Sequence, residues 1–283
     1  MLMREFLRAL VLPAAVLLAG LAPAAAQVAA KPLWEVGLGV GVLSFPDYPG
    51  SDQQRSAILP TPYVVYRGEI FKAGRNGFQA RLFNTERVDS YLSLSASPPV
   101  DSTDTVARNG MPDLKPTIQF GPAIELHLWQ SALQRMRLDF RLPLRAVVSV
   151  AWRPRQVGWL LAPELNLDMV DVAGLSGWNL GLQTGPVLAD RGYNQTYYGV
   201  ASADATATRP AYAASGGYTG SQFTLALSKR FPGFWVGGFA RYDNLSGAVV
   251  ADSPLMRRSQ NLSAGLGVAW ILGQSSSTVD RHE

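Results

Sequence analysis

The segment RMRLDFRLPLRAVVSV at residues 135–150 alternates between polar and apolar side chains. Its even-numbered residues are all apolar, whereas arginine or aspartate occupies the odd positions from 135 to 141 and position 145. This two-residue period predicts a β-strand with one polar and one apolar face. Comparable segments recur after residue 31, between stretches rich in glycine, proline, asparagine and aspartate, with no clear amphipathic helix among them. The alternation predicts an all-β protein.

The apolar faces of such strands can pack on a soluble core or face a lipid bilayer. Charged residues make up 16% of the chain, below the roughly 25% of an ordinary soluble domain. Charges or glycines interrupt every apolar run after the N-terminus within a few residues, so no run reaches the roughly 20 residues that a membrane-spanning helix needs. These observations favour a membrane barrel, in which the apolar faces meet lipid and the polar faces line the interior.

Residues 1–26 have the layout of a signal peptide. Arg4 and Arg8 precede an apolar stretch at 9–21, and the small residues 24–26 precede Gln27. This order predicts export and cleavage after Ala26. The chain has no cysteine, so its stability cannot come from disulfide bonds as it does in many small secreted domains.

Residues 27–272 are predicted to form a transmembrane antiparallel up-and-down β-barrel, followed by a polar tail at 273–283. An even number of strands is expected when both termini lie in the periplasm. Twelve strands are predicted; the third and fourth are short, which leaves ten as the alternative. The predicted strands are 33–43, 57–67, 69–74, 77–83, 88–97, 114–128, 135–150, 156–170, 176–190, 217–229, 232–244 and 260–272. Long connections fall at one end and short turns at the other, which predicts long extracellular loops and short periplasmic turns.

Tryptophans cluster at the predicted strand ends. Tryptophan prefers the membrane interface, where its ring is in an apolar layer and its N–H can reach water. An interface girdle facing the outer-membrane lipids is therefore predicted at the short-turn end, formed by Trp34, Trp129, Trp178, Trp235 and Trp270.

The polar faces carry charges of both signs. Because arginine or lysine at mid-membrane depth costs roughly 2–4 kcal/mol against lipid, these side chains are expected to face inward. The predicted lumen-lining charged set is Lys115, Glu125, Arg137, Asp139, Arg141, Arg145, Glu164 and Asp168. One interpretation is a structural ion-pair network. The alternative is a narrow pore in which Arg137, Arg141 and Arg145 guide anions.

Several function classes lack their sequence signals. The net charge of +4 comes without a basic cluster, which argues against nucleic-acid binding. The two histidines, His127 and His282, belong to no recognisable nucleophile motif, and no His/Cys cluster has metal-ligand spacing. The sequence therefore predicts a non-enzymatic protein with no catalytic residues, cofactor or metal. A third hypothesis is a surface adhesin using the tyrosines of loop 191–216, with their packing over the barrel mouth as the alternative.

Several loop and strand segments carry a resemblance to a known family. They are FPDYPGSDQ (45–53), LPTPYVVYRG (59–68), RNGFQARLF (75–83), NGMPDLKPTIQFGP (109–122), YNQTYYGV (193–200), GGY (216–218) and ADSPL (251–255). In this order they resemble the MltA-interacting protein (MipA)/OmpV family of outer-membrane proteins across nearly the whole mature chain.

The resemblance implies a barrel in the outer membrane of a Gram-negative bacterium, in contact with lipids and the barrel-assembly machinery. It also implies a scaffold that brings a lytic murein transglycosylase together with a murein synthase, whereas other family members are discussed as adhesins. It supplies no catalytic residues. The C-terminal aromatic residue common in such barrels corresponds to Trp270, but thirteen residues follow it here.

Overall fold

The computed structural model describes residues 31–68, 71–74, 77–85, 87–133 and 135–279. The predicted signal peptide at 1–26 and the last four residues of the predicted tail lie outside these ranges. Residues 32–277 form one compact unit, which holds the large sheet. Within the described ranges, no helix is both long and apolar enough to span a membrane.

Thirteen strands of the described chain form one antiparallel sheet. They are β2 (Trp34–Pro46), β3 (Gln54–Arg67), β4 (Phe71–Gly74), β5 (Gly77–Asn84), β6 (Val88–Ser97), β7 (Thr117–Gln130), β8 (Met136–Ser149), β9 (Arg155–Leu161), β10 (Glu164–Val170), β11 (Trp178–Ala189), β12 (Gly217–Arg230), β13 (Phe234–Asn244) and β14 (Gln260–Gln274). Two further strands, β1 (Lys31–Pro32) and β15 (Thr278–Val279), form a separate two-stranded sheet.

The large sheet closes on itself. Both β9 and β10 pair with β8 on one side and with β11 on the other, so they lie end to end in a single strand position. The thirteen strands thus occupy twelve positions around a closed barrel. The all-β antiparallel prediction is confirmed, and the predicted strand at 156–170 is divided at Ala162–Pro163. Proline has no N–H to donate to the ladder, which explains the break.

The outer and inner surfaces of the barrel have opposite character. Large apolar side chains such as Ile58 (73% exposed) and Leu266 (66%) lie on the outer surface, whereas the buried residues include Glu35, Asp139 and Arg141. In a soluble protein charged side chains are almost never fully buried unless paired. Apolar-out and polar-in is the arrangement of a barrel whose outer wall contacts lipid.

The long loops at one end of the barrel pack together into a hydrophobic core of their own. We call this structure the cap; it comprises residues 47–53, 98–116, 190–216 and 245–259. Each of the four loops contributes buried apolar residues, namely Tyr48; Val100, Met111 and Leu114; Tyr197, Tyr198, Val200 and Ala214; and Ala248, Val250 and Leu255.

The cap also contains a helix that the strand pattern did not predict. This helix, α1 (Arg191–Tyr198), is eight residues long, too short to show a clear helical period. Its N-cap is Asp190, whose carboxylate accepts a hydrogen bond from the Tyr193 backbone N–H at 2.8 Å, which satisfies one of the free donors of the first turn.

Candidate functional site

The odd-numbered side chains of β8 lie on the inner surface, where ladder pairing places them beside acidic residues of β7 and β10. Arg141 is opposite Glu125 on β7 and Glu164 on β10. Its Nε donates to Glu125 Oε2 at 3.0 Å, and both side chains are buried. This pair is the centre of a luminal ion-pair network.

The network continues toward the short-turn end. Arg137 donates from Nε to Asp139 Oδ2 at 2.8 Å and from Nη2 to Glu125 Oε1 at 3.5 Å. His127 Nδ1 lies 2.8 Å from the other carboxylate oxygen of Asp139. Asp168 is opposite Arg137 in the ladder and accepts a hydrogen bond from Asn166 at 2.8 Å.

The remaining two residues of the predicted charged set lie elsewhere. Arg145 faces the lumen above the network and donates to Ser93 Oγ at 2.9 Å. Lys115 precedes β7 and lies in an exposed loop, 3.5 Å from Asp113. The expected luminal position of Lys115 is therefore not observed, because the strand begins two residues later at Thr117.

A second charged cluster at the short-turn end was not anticipated from the sequence. Glu35, fully buried, accepts hydrogen bonds from Arg67 at 3.2 Å, Arg230 at 2.9 Å and the Tyr63 hydroxyl at 3.1 Å. In the sequence, the sign of this cluster is Glu35 itself, a carboxylate on a glycine-rich face of β2. Together with the ion-pair network, this cluster places paired charged side chains at two positions along the inner wall of the barrel.

Three residues of the network have the ligand types of a cation site, but arginines already contact the two carboxylates. Ligand atoms of Glu125, His127 and Asp139 lie within 4.8 Å of one another, a spacing that could hold a cation. The same two carboxylates already bind Arg137 and Arg141. His127 Nε2 faces another carboxylate, that of Asp89, at 3.7 Å. Both imidazole nitrogens of His127 thus face carboxylates.

The tyrosines of loop 191–216 pack into the cap instead of forming an exposed patch. Tyr198 is buried, with its ring edge against Tyr48 at a centroid distance of 6.3 Å. Its hydroxyl donates to the Pro49 carbonyl at 3.0 Å, and the Tyr48 hydroxyl donates to the Leu255 carbonyl at 2.8 Å. Burial raises the pKa of Tyr198 well above its usual value, because the phenolate would lose its hydration. Three of the four loops are thereby tied together.

Two arginines join the second and third cap loops. Arg108, 3% exposed, donates to Ser102 Oγ at 3.3 Å, the Tyr197 carbonyl at 3.3 Å and the Pro112 carbonyl at 3.0 Å. Arg209 donates back across the same junction to the carbonyl of Asn109 at 2.9 Å. The planar guanidinium group suits such multiple acceptors. Neither arginine was singled out from the sequence, because their partners are carbonyl groups distant in the chain.

Four of the five tryptophans predicted as an interface girdle lie on the outer surface at the short-turn end: Trp34, Trp129, Trp178 and Trp270. Trp235 is placed differently. It is opposite Arg230 in the ladder, on the inner surface, and its ring centroid lies 6.1 Å from that of Tyr63. Its position in β13 accounts for this, because it is an even number of residues from the inward-facing Arg241 and Asp243 and side chains two apart share a face.

The family model of MltA-interacting protein MipA matches residues 38–272 of this chain. The comparison with curated proteins gave no match. Among solved structures, a bacterial polysaccharide outer membrane secretin is similar at 7% identity and a TM-score of 0.43, covering 84% of this chain and 99% of that one. The Pseudomonas putida toluene transporter TodX is similar at 10% identity and a TM-score of 0.28, covering 86% and 71%. Both TM-scores lie below 0.5, so neither likeness carries a functional conclusion.

Proposed function

This chain belongs to the family of MltA-interacting protein MipA, and from that premise we propose that it is an outer-membrane β-barrel acting as a non-enzymatic scaffold. Its partners would be the murein transglycosylase MltA, which the family name specifies, and a murein synthase. Residues 1–26 would serve as the cleaved signal peptide, and the short-turn end of the barrel would face the periplasm, where both enzymes work.

Two features of the barrel support the proposal: the ion pairs on its inner wall and the packed cap at its long-loop end. The lumen holds the buried Arg141–Glu125 pair and the Glu35 cluster. In the cap, residues of all four long loops pack together in one hydrophobic core. Ion pairs between neighbouring strands and a packed cap hold the strands and the long loops in fixed positions, which suits a scaffold.

The short-turn end offers exposed apolar side chains for a partner protein. Leu133 and Leu175 are exposed in two of its turns. The second turn is fixed by Asp171, whose carboxylate accepts a hydrogen bond from the Gly177 N–H at 2.7 Å. A rigid turn presenting an apolar residue loses little conformational entropy on binding.

Binding of the purified full chain, in detergent, to purified MltA tests the proposal. Leu133→Ser combined with Leu175→Ser should weaken binding at least tenfold. The matched control combines Val106→Ser with Trp152→Ser, two exposed apolar residues in loops at the other end of the barrel, and should leave binding unchanged. No detectable MltA binding, or equal loss in both double variants, would contradict the scaffold role.

A narrow anion pore is the second candidate, supported by Arg145. This guanidinium is free of the carboxylate pairs that hold Arg137 and Arg141. Planar-bilayer recordings of the full chain distinguish the candidates: anion-selective conductance that Arg145→Ala reduces would favour the pore.

A surface adhesin has less support, because Tyr197 and Tyr198 are buried in the cap. Unchanged surface binding after deletion of 191–216 would show that this loop is not an adhesive surface.

A further inference from the structure

A cavity of about 190 Å³ lies on the inner side of the barrel, next to the break between β9 and β10. Its polar lining comes from Arg145, Glu164, Gln183, Gln222, Thr224 and Arg241. Since one water molecule takes up about 30 Å³ in the liquid, the cavity has room for about six waters, or a solute of comparable size.

Arg145 is held in place but has no ion-pair partner. Its Nε donates to the Oγ of the buried Ser93 at 2.9 Å, which fixes the plane of the guanidinium. Among the residues that the structure describes, no carboxylate lies within 4.0 Å of it. The terminal nitrogens of Arg145 are therefore available to a ligand, in the fork geometry that suits a carboxylate.

Glu164 is the complementary group on the same cavity. It is opposite Arg141 in the ladder, but the Nε of Arg141 is directed to Glu125. Within the described ranges, Glu164 likewise has no ion pair within 4.0 Å. Arg241, the other cation on the lining, is balanced by Asp243 at 3.2 Å.

We propose that this cavity binds a small zwitterion, an α-amino acid or dipeptide. The ligand carboxylate would pair with Arg145 and its ammonium group with Glu164, while Gln222 and Thr224 would offer hydrogen bonds to the groups between them. Arg145 and Glu164 attract each other across the cavity but form no contact within 4.0 Å, and a ligand carrying both charges would pair with each of them. A neutral solute leaves both unpaired, and a simple anion leaves Glu164 unpaired.

Calorimetric titration of the full chain in detergent tests this with three probes. Glycylglycine carries both charges, N-acetylglycylglycine only the carboxylate, and glycylglycine amide only the ammonium group. Glycylglycine should bind at least tenfold more tightly than either blocked probe. Arg145→Gln should lower the affinity for glycylglycine at least tenfold, so that the variant binds glycylglycine and glycylglycine amide equally. Glu164→Gln should make the affinity for glycylglycine equal to that for N-acetylglycylglycine.

Two controls keep these outcomes interpretable. Lys115→Gln, in the exposed loop, should bind glycylglycine as the unaltered chain does. Heat-modifiable gel mobility should show that each variant still forms a folded barrel. Absence of glycylglycine binding, equal affinity for all three probes, or unchanged affinity in folded Arg145→Gln each overturns the proposal. The site is independent of the scaffold role, so loss of MltA binding leaves these results unaffected.

Discussion

Arg108 offers the sharpest test of how the cap is held together. Its guanidinium donates three hydrogen bonds to acceptors in two loops, the Ser102 hydroxyl and the carbonyls of Pro112 and Tyr197. Arg108→Lys retains the buried charge but replaces a planar five-donor fork by a shorter, single ammonium group. That group cannot reach all three acceptors.

The expected cost follows from the acceptors left without a partner. Each buried acceptor that loses its donor costs about 1–3 kcal/mol. The Pro112 carbonyl keeps the Ser102 hydroxyl as a donor at 2.9 Å. Loss of the bonds to the Tyr197 carbonyl and the Ser102 hydroxyl should lower cap stability by about 2–4 kcal/mol. At 1.36 kcal/mol per factor of ten, this corresponds to roughly a 30- to 900-fold faster exchange of cap amides that open locally.

Hydrogen exchange measured by mass spectrometry checks this prediction. Peptides from 98–116 and 190–216 should lose protection in Arg108→Lys, while peptides from the barrel strands should not. Arg258→Lys is the matched control, because Arg258 is an exposed arginine of the same cap. Unchanged protection of both loops in Arg108→Lys would refute the reasoning that this arginine joins them.

Three further predictions concern the cap and the network. Burial raises the pKa of Tyr198 in the folded state. The stabilisation that the neutral Tyr198 side chain gives the cap is therefore complete below the unfolded pKa of about 10 and is lost as the pH rises further. Hydrogen exchange of the cap-loop amides should accelerate above about pH 10, before the strands unfold. Gly158→Ala would place a Cβ 2.4 Å from the Tyr193 backbone nitrogen, so it should displace α1 and raise its proteolysis, whereas unaltered cleavage would count against that contact. Arg141→Met should lower the free energy of unfolding of the barrel, measured in urea, by about 3 kcal/mol, because the buried Glu125 then keeps only the 3.5 Å contact with Arg137. Adding Glu125→Met should recover part of that loss.

The local pattern was sufficient to locate the strands. Every predicted strand has an observed counterpart with ends that differ by a few residues, except that 156–170 forms two strands, β9 and β10. The even-numbered residues of β8 lie on the outer surface as the alternation predicted. Pro163 lies at the division between β9 and β10. These features depend on residues close together in the chain, so sequence alone is informative about them.

Contacts between distant residues could not be predicted in the same way. Glu35 and Arg230 are 195 residues apart, and no period in either strand indicates that they meet. The same holds for the carbonyl partners of Arg108 and for the cap as a whole, because loops have no repeating face. Among the predicted luminal charges, the sequence could not separate the paired Arg141 from Arg145, which faces a cavity.

The sequence by itself thus determined that the chain forms antiparallel strands with an apolar outer face, because alternation is a property of each strand alone. Only the tertiary structure decided which charges neutralise one another and that the long loops close over one end. Those outcomes depend on the register between neighbouring strands and on the closure of the barrel, and a change of one position in register reverses the face of every side chain.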